Sequence, residues 1–313
     1  DYGVELVAEC TGEFLDPTAS PDSEKGAIRG HHLAGAKVVI NSAAFKIKNK
    51  ALPMPEDAAT LIYGINHEAF NPAQHTLISA ASCTTTGLAH MMKPLLENER
   101  TRCMLTASMS TVHAVTNSQC VLDSVPKAGA KDLRKSRSIL DNIILTSTNA
   151  AEALALAIPE VKEIGFMADS IRIPTKTESL IILNVTFQSQ MGKDGIISHI
   201  DTETINNIYK QVEAKDPERL LVYSEEQNVS ADVAGINASI VIEGQFNHTR
   251  TAFIDVNLAH IPGLSPEVLD SFPLKTLKIP VVHAKIFGWY DNEYGSYTNR
   301  MGDLTVYVHK MMK

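Results

Sequence analysis

The sequence predicts an α/β segment followed by an α+β domain. Three observations carry this. Short apolar runs of strand length alternate with a helical stretch before residue 82, longer strand-like runs dominate after it, and the texture changes at Cys83.

In chain order, Val4–Cys10 reads as a strand, Lys25–Ala34 as a helix with Gly35 as its C-cap, and Lys37–Asn41 as an apolar strand. A helix between short apolar strands is the pattern of parallel strands joined by crossovers. The run 75–78 is a further short strand, and Leu88, Met91, Met92, Leu95 and Leu96 recur after it at helical spacing. Pro94 lies inside that helix and has no N–H for the His90 carbonyl, so a kink is expected there. Beyond it, Met104–Val115, Gly165–Ile173, Ser179–Phe187, Ala238–Glu243 and Arg250–Val256 read as strands, with helices over Asn149–Ala157 and Thr202–Val212. The chain closes on a helix with Met301, Leu304, Val308 and Met311 on one face.

A chain of 313 residues suits two domains with sizeable cores. Its net charge of -8 argues against nucleic acid or an anionic membrane as the main partner. No apolar stretch reaches the roughly 20 residues of a membrane span and no signal peptide opens the chain, so a cytoplasmic location is expected. Cys10, Cys83, Cys103 and Cys120 are widely spaced without a C-x-x-C pair, which points to neither a disulfide framework nor a metal site. Asn184, Asn228 and Asn237 match the glycosylation pattern but lack the secretory context. The first residue is Asp1 and the opening run already reads as a strand, so the chain is expected to be a piece of a longer one.

The stretch Ser79-Ala-Ala-Ser-Cys-Thr-Thr-Thr-Gly87 puts Cys83 where a strand hands over to a helix. The unpaired N–H groups and dipole of a helix N-terminus favour an anion, so the thiol pKa should fall there. The alternative is a buried cysteine packed as a small hydrophobe. His113, at a strand end before a polar stretch, is a fair general base.

Several motifs then fall in one order: Ser79-x-x-Ser82-Cys83-Thr84-Thr85, Thr111-Val112-His113 with Thr116 and Gln119, Arg172-Ile173-Pro174-Thr175, and Trp289-Tyr290-Asp291-Asn292-Glu293. Supporting matches are Ala8-Glu9-Cys10-Thr11-Gly12 and Tyr63-Gly64-Ile65-Asn66-His67. Through them the chain resembles the phosphorylating glyceraldehyde-3-phosphate dehydrogenases along its whole length. The resemblance implies the remnant of a Rossmann-type nucleotide-binding domain at 1–82, completed by the C-terminal helix at 298–313. A catalytic domain at 83–297 with a large mixed sheet follows.

It also implies the chemistry. Cys83 adds to an aldehyde as nucleophile, His113 is the base, and the thioester left after hydride transfer is cleaved by phosphate. By resemblance Arg172, Thr116 and Ser118 hold the substrate phosphate, and Ser82, Thr84, Thr148 and Asn149 serve the attacking phosphate. Thr11, Gly12 and Asn292 meet the nicotinamide end of NAD or NADP. The implied partners are a phosphorylated small aldehyde, inorganic phosphate and further copies of the chain. The basic run Lys131, Arg134, Lys135 and Arg137 resembles a loop reaching a neighbouring subunit, or is a solvated face.

The sequence departs from the family at three points. Asn149 stands where the family has glycine, and Ala80 and Thr86 stand where it has asparagine. The Gly-x-Gly-x-x-Gly turn is absent, so about 70 to 90 residues of a first mononucleotide half are expected before Asp1, and this chain alone is expected to bind cofactor poorly. Erythrose-4-phosphate dehydrogenase and a non-catalytic oligomerisation or scaffold fragment are the alternatives.

Overall fold

The computed structural model describes residues 3–191 and 197–313; Asp1 and Tyr2, the start of the expected nucleotide-binding segment, lie outside them. The first sheet has four parallel strands in the order β1 (Leu6–Glu9), β2 (Val38–Asn41), β4 (Leu77–Ser79), β3 (Ala58–Thr60). Every residue of the central β2 and β4 is buried, as parallel strands covered on both faces require. One face packs Val39 and Leu77 on Ile28 and Ala36. The other packs Val38, Ile40 and Ile78 on Met301, Leu304 and Val308 of the last helix, Ser296–Met311. The helix expected at 25–34 shrinks to one turn, α1 (Gly30–Leu33), because Gly26 takes a φ of 77°, outside the right-handed helical region.

After β4, α2 (Cys83–Glu97) begins within four residues. It continues unbroken through Pro94, which supplies no N–H to the helical ladder. Leu88, Met91, Met92 and Leu95 are fully buried, each contributing roughly 1.5–3 kcal/mol of apolar burial.

The second sheet has eight strands. These are β5 (Met104–His113), β6 (Ile144–Thr146), β7 (Gly165–Arg172), β8 (Glu178–Gln188), β11 (Leu221–Ser224), β12 (Ile240–Glu243), β13 (His248–Asn257) and β14 (Thr276–Asp291). Its order is β11-β12-β14-β8-β5-β7-β6, with β13 continuing the β12 edge of β14. The pairs β5–β7 and β11–β12 are parallel and the others antiparallel, so the sheet is mixed, as expected. A separate ribbon joins β9 (Gln190–Met191) to β10 (Ile197–Ser198). One face of the large sheet is covered by α2, α3 (Ala150–Ala157) and α4 (Thr202–Lys215), whose Met91, Leu154, Ile205 and Tyr209 share a core with Met109, Ile181, Val185 and Ile286. A short α5 (Pro266–Ser271) lies between β13 and β14, and Ser296–Met311 is α6.

Candidate active site

Cys83 is the first residue of α2. Ser82 is the N-cap: its Oγ accepts from the Thr85 N–H at 3.1 Å and shares a 2.8 Å hydrogen bond with Thr85 Oγ1. Ala81, fully buried, has a φ of 61°, and its N–H donates to Ser79 Oγ at 3.1 Å. Left-handed backbone at a residue with a Cβ persists only where its surroundings over-determine it. Here it turns the chain sharply from β4 into α2 and leaves the sulfur at the start of the helix.

His113 reaches that sulfur from the end of β5, with Nε2 3.5 Å from Cys83 Sγ. Its Nδ1 lies 2.8 Å from the Ala114 carbonyl oxygen and also meets Arg172 Nη1, so the role of Nδ1 as donor to the one or acceptor from the other goes with the ring tautomer. Arg172 is the register partner of His113 across the β5–β7 pair. Its Nη1 contacts His113 Nδ1 and donates to the Ala114 carbonyl at 3.2 Å, while its buried Nε has no partner among the described residues.

Burial pushes the Cys83 thiol up, against the Thr84 backbone and side chain and the Arg172 charge, which pull it down. Burial first, and then the Arg172 charge, lowers His113 to about 4. The resting pair is therefore a neutral thiol and a neutral imidazole. This corrects the expectation of a depressed thiol: the helix N-terminus acts in the expected sense, but burial outweighs it. Cys83 still keeps part of its surface open.

Behind the pair stands Tyr290, buried on β14, whose hydroxyl makes 2.8 Å hydrogen bonds with Thr84 Oγ1 and Thr111 Oγ1. Its ring lies edge-on to His113, with centroids 6.0 Å apart. Just past β5, Thr116 Oγ1 and Ser118 Oγ share a 2.8 Å hydrogen bond, and Gln119 Oε1 accepts from the Thr116 N–H at 3.0 Å. This loop is held beside Arg172 by Ile173 N donating to the His113 carbonyl and Val115 N to the Thr175 carbonyl.

At the ends of the parallel strands, Thr11 and Gly12 are exposed just after β1. Gly12 has a φ of 73°, and nothing lies within 4 Å of where a Cβ would stand. Asn292 follows β14, and its buried Oδ1 has no partner among the described residues. A buried acceptor left open suits the amide N–H of a nicotinamide carboxamide, so these residues fit that end of the cofactor.

Comparison with known proteins agrees with this constellation. Residues 82–261 match the family described as glyceraldehyde 3-phosphate dehydrogenase, C-terminal domain. The chain is 34% identical over 309 residues to Glyceraldehyde-3-phosphate dehydrogenase 1 of Bacillus cereus, an alignment spanning 98% of this chain and 73% of that protein. It is 36% identical over 314 residues to the Glyceraldehyde-3-phosphate dehydrogenase of Chlamydia pneumoniae, spanning 100% of this chain and 75% of that one. The chain belongs to the glyceraldehyde-3-phosphate dehydrogenase family.

As a member of this family of nicotinamide-dependent dehydrogenases, the chain joins some of the expected residues and separates others. The structure brings Cys83, His113 and Arg172 together and places Thr116 and Ser118 on the adjoining loop. The Ser82 and Thr84 hydroxyls, expected at the attacking phosphate, are engaged inside the fold by Thr85 and Tyr290. Thr148 Oγ1 accepts from the Ala150 N–H at 3.2 Å, and Asn149 is an exposed N-cap whose side chain caps nothing. Among the described residues neither is hydrogen-bonded to Cys83, His113 or Arg172. Sequence reasoning missed two contributors. Tyr290 served only as a motif marker, although a tyrosine in an apolar strand must find a partner for its hydroxyl. Ser179, whose Oγ accepts from the Ala114 N–H at 3.0 Å, fixes the turn after His113 and carries no sequence signal.

Proposed function

We propose that this chain carries the acylation site of an enzyme that oxidises D-glyceraldehyde 3-phosphate to 1,3-bisphosphoglycerate through a Cys83 thioester, with NAD or NADP as hydride acceptor. The observation that carries the reading is the 3.5 Å approach of Cys83 Sγ to His113 Nε2, with Arg172 opposite the same histidine. Substrate phosphate draws the Arg172 guanidinium off the imidazole into a bidentate pair, where its partnerless Nε gains an acceptor. The charge touches the ring but acts on the sulfur from farther away, so its departure raises His113 more than Cys83. The thiol proton then passes to Nε2, and the sulfur attacks the aldehyde carbon to give a thiohemiacetal. The N–H groups opening α2 face the developing oxyanion, which takes the proton back from His113 Nε2 to complete the thiohemiacetal hydroxyl and leave the imidazole neutral. His113 takes the hydroxyl proton as the hybridisation returns to that of a thioester. When bound, the nicotinamide supplies the hydride acceptor, and Asn292 with Thr11 and Gly12 orients it. Phosphate then cleaves the thioester, guided by the backbone at Ser82 and Thr84 and by Thr148 and Asn149.

In this reading residues 1–82, with the helix at 298–313 packed on them, form the nucleotide-binding part, and 83–297 form the catalytic domain. The α6 contacts of Met301, Leu304 and Val308 with the parallel sheet support that division. Homo-oligomer formation is supported by the exposed Val121, Leu122, Val125, Leu133 and Ile143, which share a segment with the basic run. Among the described residues no helix is long and apolar enough to cross a membrane.

The test is covalent. Glyceraldehyde 3-phosphate should protect Cys83 from iodoacetamide without cofactor, and with NAD or NADP it should leave an acyl adduct on Cys83 that phosphate removes, read by peptide mass. An acyl adduct on another cysteine, or one that still forms away from position 83 in Cys83→Ser, overturns the reading.

A further inference from the structure

A cavity of about 370 Å³ opens where the loop after β3 meets α2 and the turn from α4 into β11. His90, Lys93, Pro94 and Glu97 form one side of it, the spacing at which α2 presents a single face. Ile65, Pro94, Val212, Leu220 and Leu221 make most of the wall apolar. Of the charged groups at the rim, Lys93 Nζ donates to the Ile65 carbonyl at 3.0 Å and stands 4.0 Å from Glu97, and the Asp216 carboxylate accepts from the Glu218 and Leu220 N–H groups at 2.9 and 2.6 Å. Lys215 is exposed to solvent.

His90 closes the inner end. It is 6% exposed, and its Nδ1 donates to the Thr86 carbonyl at 2.9 Å, which leaves the lone pair of the neutral ring on Nε2. Burial keeps that ring neutral by lowering its pKa to about 4. Nε2 is buried and has no partner among the described residues. Gly64 and Leu220 flank it: a Cβ on Gly64 would stand 2.9 Å from Nε2 and against Leu220 Cδ1, and the φ of 78° at Gly64 also disfavours a side chain there. Pro94, four residues on, leaves the His90 carbonyl without its helical donor. The inner end of an apolar cavity thus offers acceptors in want of a donor, and an unmet buried acceptor costs stability.

We propose that this cavity binds a small neutral aromatic molecule carrying one O–H or N–H donor, of phenol or indole size, with the donor on His90 Nε2. Its volume lies in the range of small-molecule sites, and aliphatic walls with one convergent polar group are their usual make-up. A charge on the ligand would be desolvated at the inner end without a counter-charge, so a neutral donor is favoured. A flat apolar body with a single polar tip matches aliphatic walls that end in one acceptor. The Leu220 methyl beside Nε2 gives way as the donor arrives. The site shares α2 with Cys83 but does not rest on the catalytic reading.

Titration of the whole chain with para-fluorophenol beside para-fluorotoluene, followed by fluorine NMR, tests this, since the two probes differ in the donor and little in shape. The phenol should bind about fivefold more tightly, the worth of one hydrogen bond to a buried acceptor. His90→Phe, which keeps an aromatic ring and loses the acceptor, should bind both probes alike. With isotope-labelled imidazole nitrogens, the phenol should also shift the His90 Nε2 resonance of the wild-type chain, assigned by its loss in His90→Phe or, where that variant does not fold, in His90→Leu. Equal affinities of wild type for the two probes would mean that the acceptor takes no part and overturn the proposal. So would absent binding of the phenol, a phenol preference that survives His90→Phe, or a His90 resonance that stays in place at saturation.

Discussion

Arg172 and His113 are direct partners across the parallel β5–β7 pair, and the guanidinium rests on the imidazole that faces Cys83. One residue thus touches the base of the proposed reaction and carries the charge suited to a substrate phosphate. A cation against an imidazole opposes its protonation, and this places the switch between resting and reacting states in the ladder register itself.

The pH dependence of kcat/KM should show this. With His113 held at about 4 by burial and Arg172, the imidazole stays an unprotonated base down to that region, well below its ordinary 6.5. The acid limb of the profile should accordingly lie nearer 4 than 6.5, and Arg172→Leu should move it upward by removing the second cause of the shift. An acid limb that ignores Arg172→Leu would remove this account of the pair.

Arg172→Leu should also separate substrates. Loss of a charge-assisted pair at roughly 1.5–3 kcal/mol should cost phosphorylated glyceraldehyde about 10- to 150-fold in kcat/KM and leave unphosphorylated glyceraldehyde much less affected. Equal losses for both would assign Arg172 a purely structural role.

Tyr290→Phe leaves the buried hydroxyls of Thr84 and Thr111 without their partner. A loss of about 1–3 kcal/mol in urea unfolding is expected, with slower Cys83 acylation because Thr84 directly follows the nucleophile. An unchanged urea midpoint would mean that the two threonines find other partners at no cost.

Stability should fall as acid is added, and two histidines set the window. Burial lowers both His90 and His113 to about 4 from 6.5. The unfolded chain takes up their protons from 6.5 downward while the folded chain does not until about 4, so the stability they contribute is present above 6.5 and lost between 6.5 and 4. Each histidine accounts for up to about 3 kcal/mol. His90, whose Nε2 has no partner among the described residues and whose Nδ1 donates to the Thr86 carbonyl at 2.9 Å, is the cleaner probe. His90→Leu should flatten roughly half of the slope, read as urea midpoints across that range.

The sequence by itself determined the alternation of short strands and helix before Cys83, the long strands after it, and the apolar faces of α2, α4 and α6. These rest on periodicities of 2.0 and 3.6 residues, which are local properties. It also named Cys83, His113, Arg172 and Asn292, because residue type and order survive without coordinates. Other features were fixed only in three dimensions. The helix expected at 25–34 gave way to the left-handed backbone of Gly26, and β3, β11 and the first half of β14 lay hidden in runs too short or, at Pro280, too interrupted to read. Whether Ser82 and Thr84 faced a phosphate or the fold was decided by Thr85 and Tyr290, the latter more than 200 residues away in sequence. Burial reversed the expected thiol shift, and ladder register set Arg172 on His113. Solvent access and cross-strand pairing belong to the assembled sheet, and a linear pattern specifies neither.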